Sequence, residues 1–423
     1  MCVQNSAGNV GHPSIMPRRG LPGMRSKLAG NTPLTVAFLG GSITEGAGAS
    51  DASAASWRAR TGAYLQRLYA GHPVRCINAG VGGTTSIFGA HRLQEHVLRE
   101  GPVDLLFIEF SVNDGEDRGE SIRGMEGIVR QCRRLSPETE LVFVYMAADK
   151  NLTGYKPFNI AVHEEVAEYY GIPSIDCAAM VYTMIRTGEL DWKRFAPDGY
   201  HPLDDGHALY AAFVQEYVQQ EIACGGSQAE GKGAAGAATG AKGKEATEMP
   251  GTSMEKEASE VRAAGESQDN AATRAAVLPV PPLDPRSYEY ARMLDYSTAE
   301  YSAAFRVQEL QPGEPLMNWR FATAHACTED PQAEFTFTVT GQGAGLVLLY
   351  GPDSGILEYS LNGGPYTEIN LFDDWCPGAY RPVLALFPVQ TERGVLQIAV
   401  RNTGRRDSRS TGNGLRVLGL LCN

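Results

Sequence analysis

Val36-Ala37-Phe38-Leu39-Gly40-Gly41-Ser42-Ile43-Thr44 decides the fold. A continuous apolar run breaks at two glycines and a serine. A run without polar alternation suits a parallel strand covered on both faces. Runs of the same kind recur at Leu34–Leu39, Val74–Ile77, Val103–Phe110, Leu141–Met146 and Ile172–Asp176. Between them the apolar period lengthens to that of helices: Trp57, Thr61, Tyr64, Leu65 and Leu68; Ile122, Met125, Val129, Cys132 and Leu135; Phe158, Val162, Val166 and Tyr169. A last helix follows Gly206 with Leu209, Phe213 and Val218. Alternating strands and helices imply right-handed crossovers and a three-layer α/β/α sandwich on a parallel five-stranded sheet.

The composition then changes. From Cys224 to Ala276 the chain is Gly, Ala, Glu, Lys, Ser and Thr with no aromatic residue, and Leu278-Pro279-Val280-Pro281-Pro282 follows it. Such a stretch buries too little apolar surface to offset its ordering entropy, so a disordered linker, dispensable for chemistry, is expected there. Beyond it the period is two. Phe335, Phe337 and Val339 alternate with threonines, and Leu396, Ile398 and Val400 alternate likewise. Asn362-Gly363-Gly364-Pro365 marks a hairpin between Gly355–Leu361 and Tyr366–Leu371. The expected division is an N-terminal extension at 1–31, an α/β domain at 32–223, a linker at 224–276 and an all-β sandwich or jelly-roll domain at 277–423.

The chain carries a formal charge of −12 over 423 residues. Without basic clusters, that charge argues against nucleic acid and anionic membranes as partners. No apolar span has the length of a signal or membrane segment, and the eight cysteines show neither CxxC pairs nor zinc-ligand spacing. A cytoplasmic protein with free thiols and no metal is expected.

Four polar signals fall at the ends of these runs or just before the last helix. Ser42 follows the first, at the sheet edge where ligands bind in open α/β folds; a turn serine capping a helix fits the same residue. Asn78-Ala79-Gly80-Val81-Gly82-Gly83 follows the second. It lacks the lysine of a phosphate loop and reads either as a backbone N–H donor or as a tight turn. Asn113 follows the third, where an uncharged amide suits an oxyanion or an Asx turn. Asp198-Gly199-Tyr200-His201 precedes the last helix. There a carboxylate three residues before an imidazole can orient it toward a serine, or His201 is a plain surface histidine. His207 reads as structural, Trp57 as core, and Asp204 and Asp205 as favourable to the last helix's N-terminus.

Together, in this order, the residues from Leu34 to Ala223 resemble the SGNH, or GDSL-like, hydrolase family. Gly40-Gly41-Ser42-Ile43-Thr44, Asn78 to Gly83, Asn113-Asp114 and Asp198 to His201 resemble its blocks. The resemblance implies a flavodoxin-like fold with Ser42 as nucleophile and His201 as base oriented by Asp198. The N–H groups of Ser42 and Gly83 and the amide of Asn113 would form the oxyanion hole, with no cofactor. Gly41 stands at the family's usual Asp and Ser111 at its usual Gly, which puts catalytic geometry in question. The β-domain resembles jelly-roll companions of carbohydrate esterases. That implies an acetylated saccharide as substrate and offers Trp375, Tyr380 and Asp373 to a sugar, although Trp375 also fits the sandwich core, the favoured placement. Broader esterase, lysophospholipase, thioesterase, acyltransferase and non-catalytic sugar-binding roles share the scaffold.

Overall fold

A computed structural model describes residues 14–230, 280–311 and 323–423. The α/β domain holds strands β1 (Ile15–Met16), β2 (Leu34–Gly40), β3 (Val74–Gly80), β4 (Leu105–Glu109), β5 (Glu140–Tyr145) and β6 (Ser174–Asp176). Its α-helices are α1 (Pro22–Gly30), α2 (Ser42–Glu45), α3 (Trp57–Leu68), α4 (Ser86–His96), α5 (Arg118–Leu135), α6 (Phe158–Tyr170), α7 (Cys177–Thr187), α8 (Trp192–Phe195) and α9 (Asp204–Glu230).

The sheet runs β1-β6-β5-β4-β2-β3. All pairs from β2 to β6 are parallel, and β1 joins β6 antiparallel. The five parallel strands thus take the doubly wound order in which the chain first builds toward one edge and then reverses. The reversal lies between β2 and β4, and a crevice opens there at the carboxyl ends. Ser42 follows β2 and Asn113 follows β4, so the topology alone brings these two loops to the same crevice. Every residue of β4 is buried, as is all of β2 except half-exposed Thr35. β3 is an edge strand, and its first half emerges to leave Cys76 exposed.

Residues 14–31 do more than extend the domain. Leu21 and Met24 enter its core, and Glu140 accepts the Gly23 and Met24 N–H groups at the start of α1. At the other end, α9 continues past residue 223. Of the expected linker, 231–276 lies outside the described residues.

The C-terminal domain is two antiparallel sheets. One has the order 381–386, 344–350, 415–422, 325–328, 306–308, with 292–295 also on 415–422; the other runs 367–370, 355–361, 394–406, 334–341, 300–301. Along Glu334–Gly341 exposed and buried residues alternate without a break, the period read from the threonines. Phe335, Phe337 and Val339 of one sheet share a core with Leu346, Leu348 and Val417 of the other, which makes a sandwich. Trp375 is not in that core: it is 60% exposed. Asp373 Oδ1 accepts the Trp375 N–H at 3.0 Å in a tight turn, and Leu371, Phe372 and Cys376 fill the interior instead.

Residues 280–291 pack on the α/β domain. Tyr288 and Ala291 are buried in the α/β core. Glu126 accepts the N–H groups of Leu283 and Asp284, Gln131 donates to the Tyr288 carbonyl, and Arg130 pairs with Glu289 at 2.6 Å. This strap therefore belongs physically to the first domain. Phe88 of α4 packs with Val347 and Leu421 of the sandwich.

Candidate active site

Gly41 is the N-cap of α2, and Ser42 begins it. Ser42 is half-buried at the crevice. His201 Nε2 lies 2.8 Å from Ser42 Oγ, and His201 Nδ1 lies 2.7 Å from Asp198 Oδ2. The Asp198 carboxylate also accepts the N–H groups of His201 at 2.8 Å and Tyr200 at 3.1 Å. Desolvation pushes its carboxyl upward, but these donors and the imidazole outweigh that and hold it below the usual range. With an ionised partner on Nδ1, the imidazole presents its Nε2 lone pair to the serine hydroxyl. Tyr200 packs edge-on against His201, with centroids 4.5 Å apart, and limits its swing.

The Asn113 amide sits over Gly41. A Cβ at residue 41 would meet Asn113 Oδ1 at 2.2 Å. A side chain at residue 41 would have to move that amide. In the second loop the Gly82 N–H bonds to Glu45 Oε2 at 2.9 Å, whereas Gly83, at φ +69°, is exposed. Gly83 borders a cleft whose other wall is Arg381, Pro382 and Leu384 of the β-domain.

His207 is structural. Its Nδ1 accepts the Trp57 N–H, its Nε2 donates to the Ala47 carbonyl, and burial lowers its pKa to about 4. Asp204 does more than favour its helix: it accepts Ser50 N–H and Oγ and ties the loop after α2 to α9. Trp57 is fully buried, as is the Cys132 thiol. Among the described residues, no group of three or more His, Cys, Asp or Glu is placed to hold a metal ion, and no helix is long and apolar enough to cross a membrane.

Two supporting groups escape a reading of the sequence as strand ends. Asp114 is buried beneath Asn113, and its carboxylate accepts Ser86 N–H (2.8 Å), Ser86 Oγ (2.7 Å), Ser121 Oγ (2.8 Å) and His163 Nε2 (2.8 Å). Glu109 is 1% exposed at the end of β4. The available signal was a carboxylate closing an otherwise apolar run.

A hydroxyl, an imidazole and a carboxylate thus stand in hydrogen-bonded series at the reversal point of a doubly wound sheet. Residues 38–209 match the GDSL-like lipase/acylhydrolase family, and the α/β domain belongs to it. It is a carboxylic ester hydrolase domain. No curated protein sequence matches the chain. A two-domain esterase active on acetylated mannans, co-crystallised with mannopentaose, superposes over 94% of this chain and 92% of its own, with 18% identity and a TM-score of 0.71. A second structure of a two-domain esterase active on acetylated mannans covers 97% of each chain at 18% identity and a TM-score of 0.70. A catalytic mutant of an acetylxylan esterase from Geobacillus stearothermophilus matches 44% of this chain and 94% of its own at 19% identity and a TM-score of 0.37. At such identities the two-domain likeness is one of fold.

Proposed function

We propose that the protein removes short acyl groups, acetyl above all, from a saccharide through an acyl-serine intermediate. The observation that carries this is the Ser42–His201–Asp198 series at 2.8 and 2.7 Å. His201 takes the Ser42 proton as Oγ attacks the ester carbonyl. The N–H groups of Ser42 and Gly83 and the Asn113 amide receive the oxyanion. His201 then protonates the leaving sugar oxygen and activates the water that releases the acid. The saccharide rests on the two-domain likeness to the mannan esterase and on the Gly83 cleft, whose second wall comes from the β-domain. The free cysteines fit the reducing interior of a cell.

Hydrolysis of 4-nitrophenyl acetate, butyrate and octanoate, followed by acetate release from acetylated mannan and xylan, tests this reading. Turnover should fall steeply with acyl length and vanish in Ser42→Ala. Full activity of Ser42→Ala would remove the nucleophile, and a preference for octanoate would remove the acetyl assignment.

Gly41→Asp tests the oxyanion geometry. The new side chain must displace the Asn113 amide. Losing one oxyanion donor costs about 10²–10³-fold in kcat. We expect that loss with little change in KM; an Asp variant as active as wild type would show that Asn113 is not a donor.

A further inference from the structure

Glu109 lies under the nucleophile turn without a part in the chemistry above. In register it is the partner of Gly40 across β2 and β4. Its Oε2 accepts the Thr44 hydroxyl at 2.9 Å, and the Gly41 N–H is directed at the same carboxyl. Its Oε1 is buried with no hydrogen-bond partner. One carboxyl therefore holds the residue before Ser42 and the residue two after it.

Its surroundings favour a proton on it. Asp114 adds negative charge from the loop after β4, and the Cys177 thiol of α7 and the Tyr210 hydroxyl of α9 both feel its charge. Two cations stand at this turn and act against that, Arg92 of α4 on the Gly40 carbonyl and Arg58 of α3 on the Thr44 carbonyl. An ionised, donorless oxygen in such a place is costly. Burial pushes the carboxyl up to about 7.

We propose that Glu109 is a positioning residue for the nucleophile, its buried carboxyl fixing the Gly41–Thr44 turn that aims the Ser42 hydroxyl and N–H. Loss of its proton sets a negative charge beside the groups that receive the oxyanion, so the turn works best when Glu109 is uncharged. The inference rests on the acyl-serine reading of Ser42.

The test is kcat and KM for 4-nitrophenyl acetate from pH 6 to pH 8.5, for wild type, Glu109→Gln, Glu109→Leu and Thr44→Val. Thermal melts accompany each variant. Gln keeps the shape and an acceptor but cannot ionise. The ratio of kcat for Glu109→Gln over wild type should rise about tenfold across the range, as a charge removed from a low-dielectric site predicts. Leu and Val remove one or both anchors, and kcat should fall about 10–100-fold with KM held within about twofold, the signature of lost transition-state positioning. A flat Gln ratio, or Leu and Val variants that are folded and as active as wild type, overturns the proposal. The nucleophile is checked separately. If Ser42→Ala is inactive while the Glu109 and Thr44 variants track wild type at every pH, this inference alone falls. If Ser42→Ala is active, the acyl-serine reading falls first.

Discussion

His201→Ala should lower kcat by about 10⁶-fold, the scale seen when the base of a serine relay is removed. His207, the nearest in sequence, has both ring nitrogens engaged by Trp57 and Ala47. Asp198→Asn should cost far less, about 10²-fold, because the Asp198 side chain is 46% exposed and its charge is screened by solvent. The backbone donors to Asp198 Oδ1 also survive in part with an amide. Steady-state kinetics on 4-nitrophenyl acetate decides the order of effects. Equal losses in the two variants would mean that Asp198 acts as a buried orienting charge does, and comparable activity of His201→Ala would remove the base.

Asp114→Ala should be the most destabilising single change near the site. Burial pushes the Asp114 carboxyl up, but hydrogen bonds from His163 and Ser86 outweigh it and hold it below the usual range. Truncation leaves four buried donors without their acceptor. Breaking such a cluster costs about 3–5 kcal/mol. In a domain of this size that corresponds to a fall in Tm on the order of 10 °C. Activity should fall as well, since Asp114 joins the Asn113 loop to the first residue of α4, three residues after Gly83. Because the group is depressed in the folded state, its contribution is present above the ordinary carboxylate pKa and lost as pH falls through the folded value. Wild-type melts should therefore lose more stability on acidification than those of Asp114→Asn. Parallel pH profiles would show that the carboxylate carries no net stability.

The strand runs were legible because β2, β4 and β5 are buried on both faces, and burial of that kind leaves a continuous apolar stretch. Ser42 and Asn113 stood out because each is polar soon after an apolar run ends, and Asp198 and His201 because they share one short loop before the last helix. What escaped was everything that depends on long-range packing. Ile15–Met16 is too short to show a period, so its pairing with β6 left no trace. Tyr288 and Ala291 sit in a segment read as the start of another domain, although their partners lie on α4 and α5. Trp375 was assigned to the core by its chemistry alone, which says nothing of the Asp373 turn that carries it outward. Glu109 was hidden by its strand: a lone acid among apolar residues can point either way, and only the turn formed by Gly41 and Thr44 gives it a task.

The strap at 280–291 bears on how this pair of domains can be inherited. Its charges and apolar side chains complete α5, while the strand that continues it, 292–295, completes the sandwich. Asn423, at the other end of the sandwich, returns to bond the Ser287 carbonyl and the Tyr290 N–H. A recombination event that exchanged the second module at the low-complexity stretch would carry away part of the first module's interior. The viable seam lies after Ala291, so the two modules are free to diversify in sequence but poorly placed to trade partners.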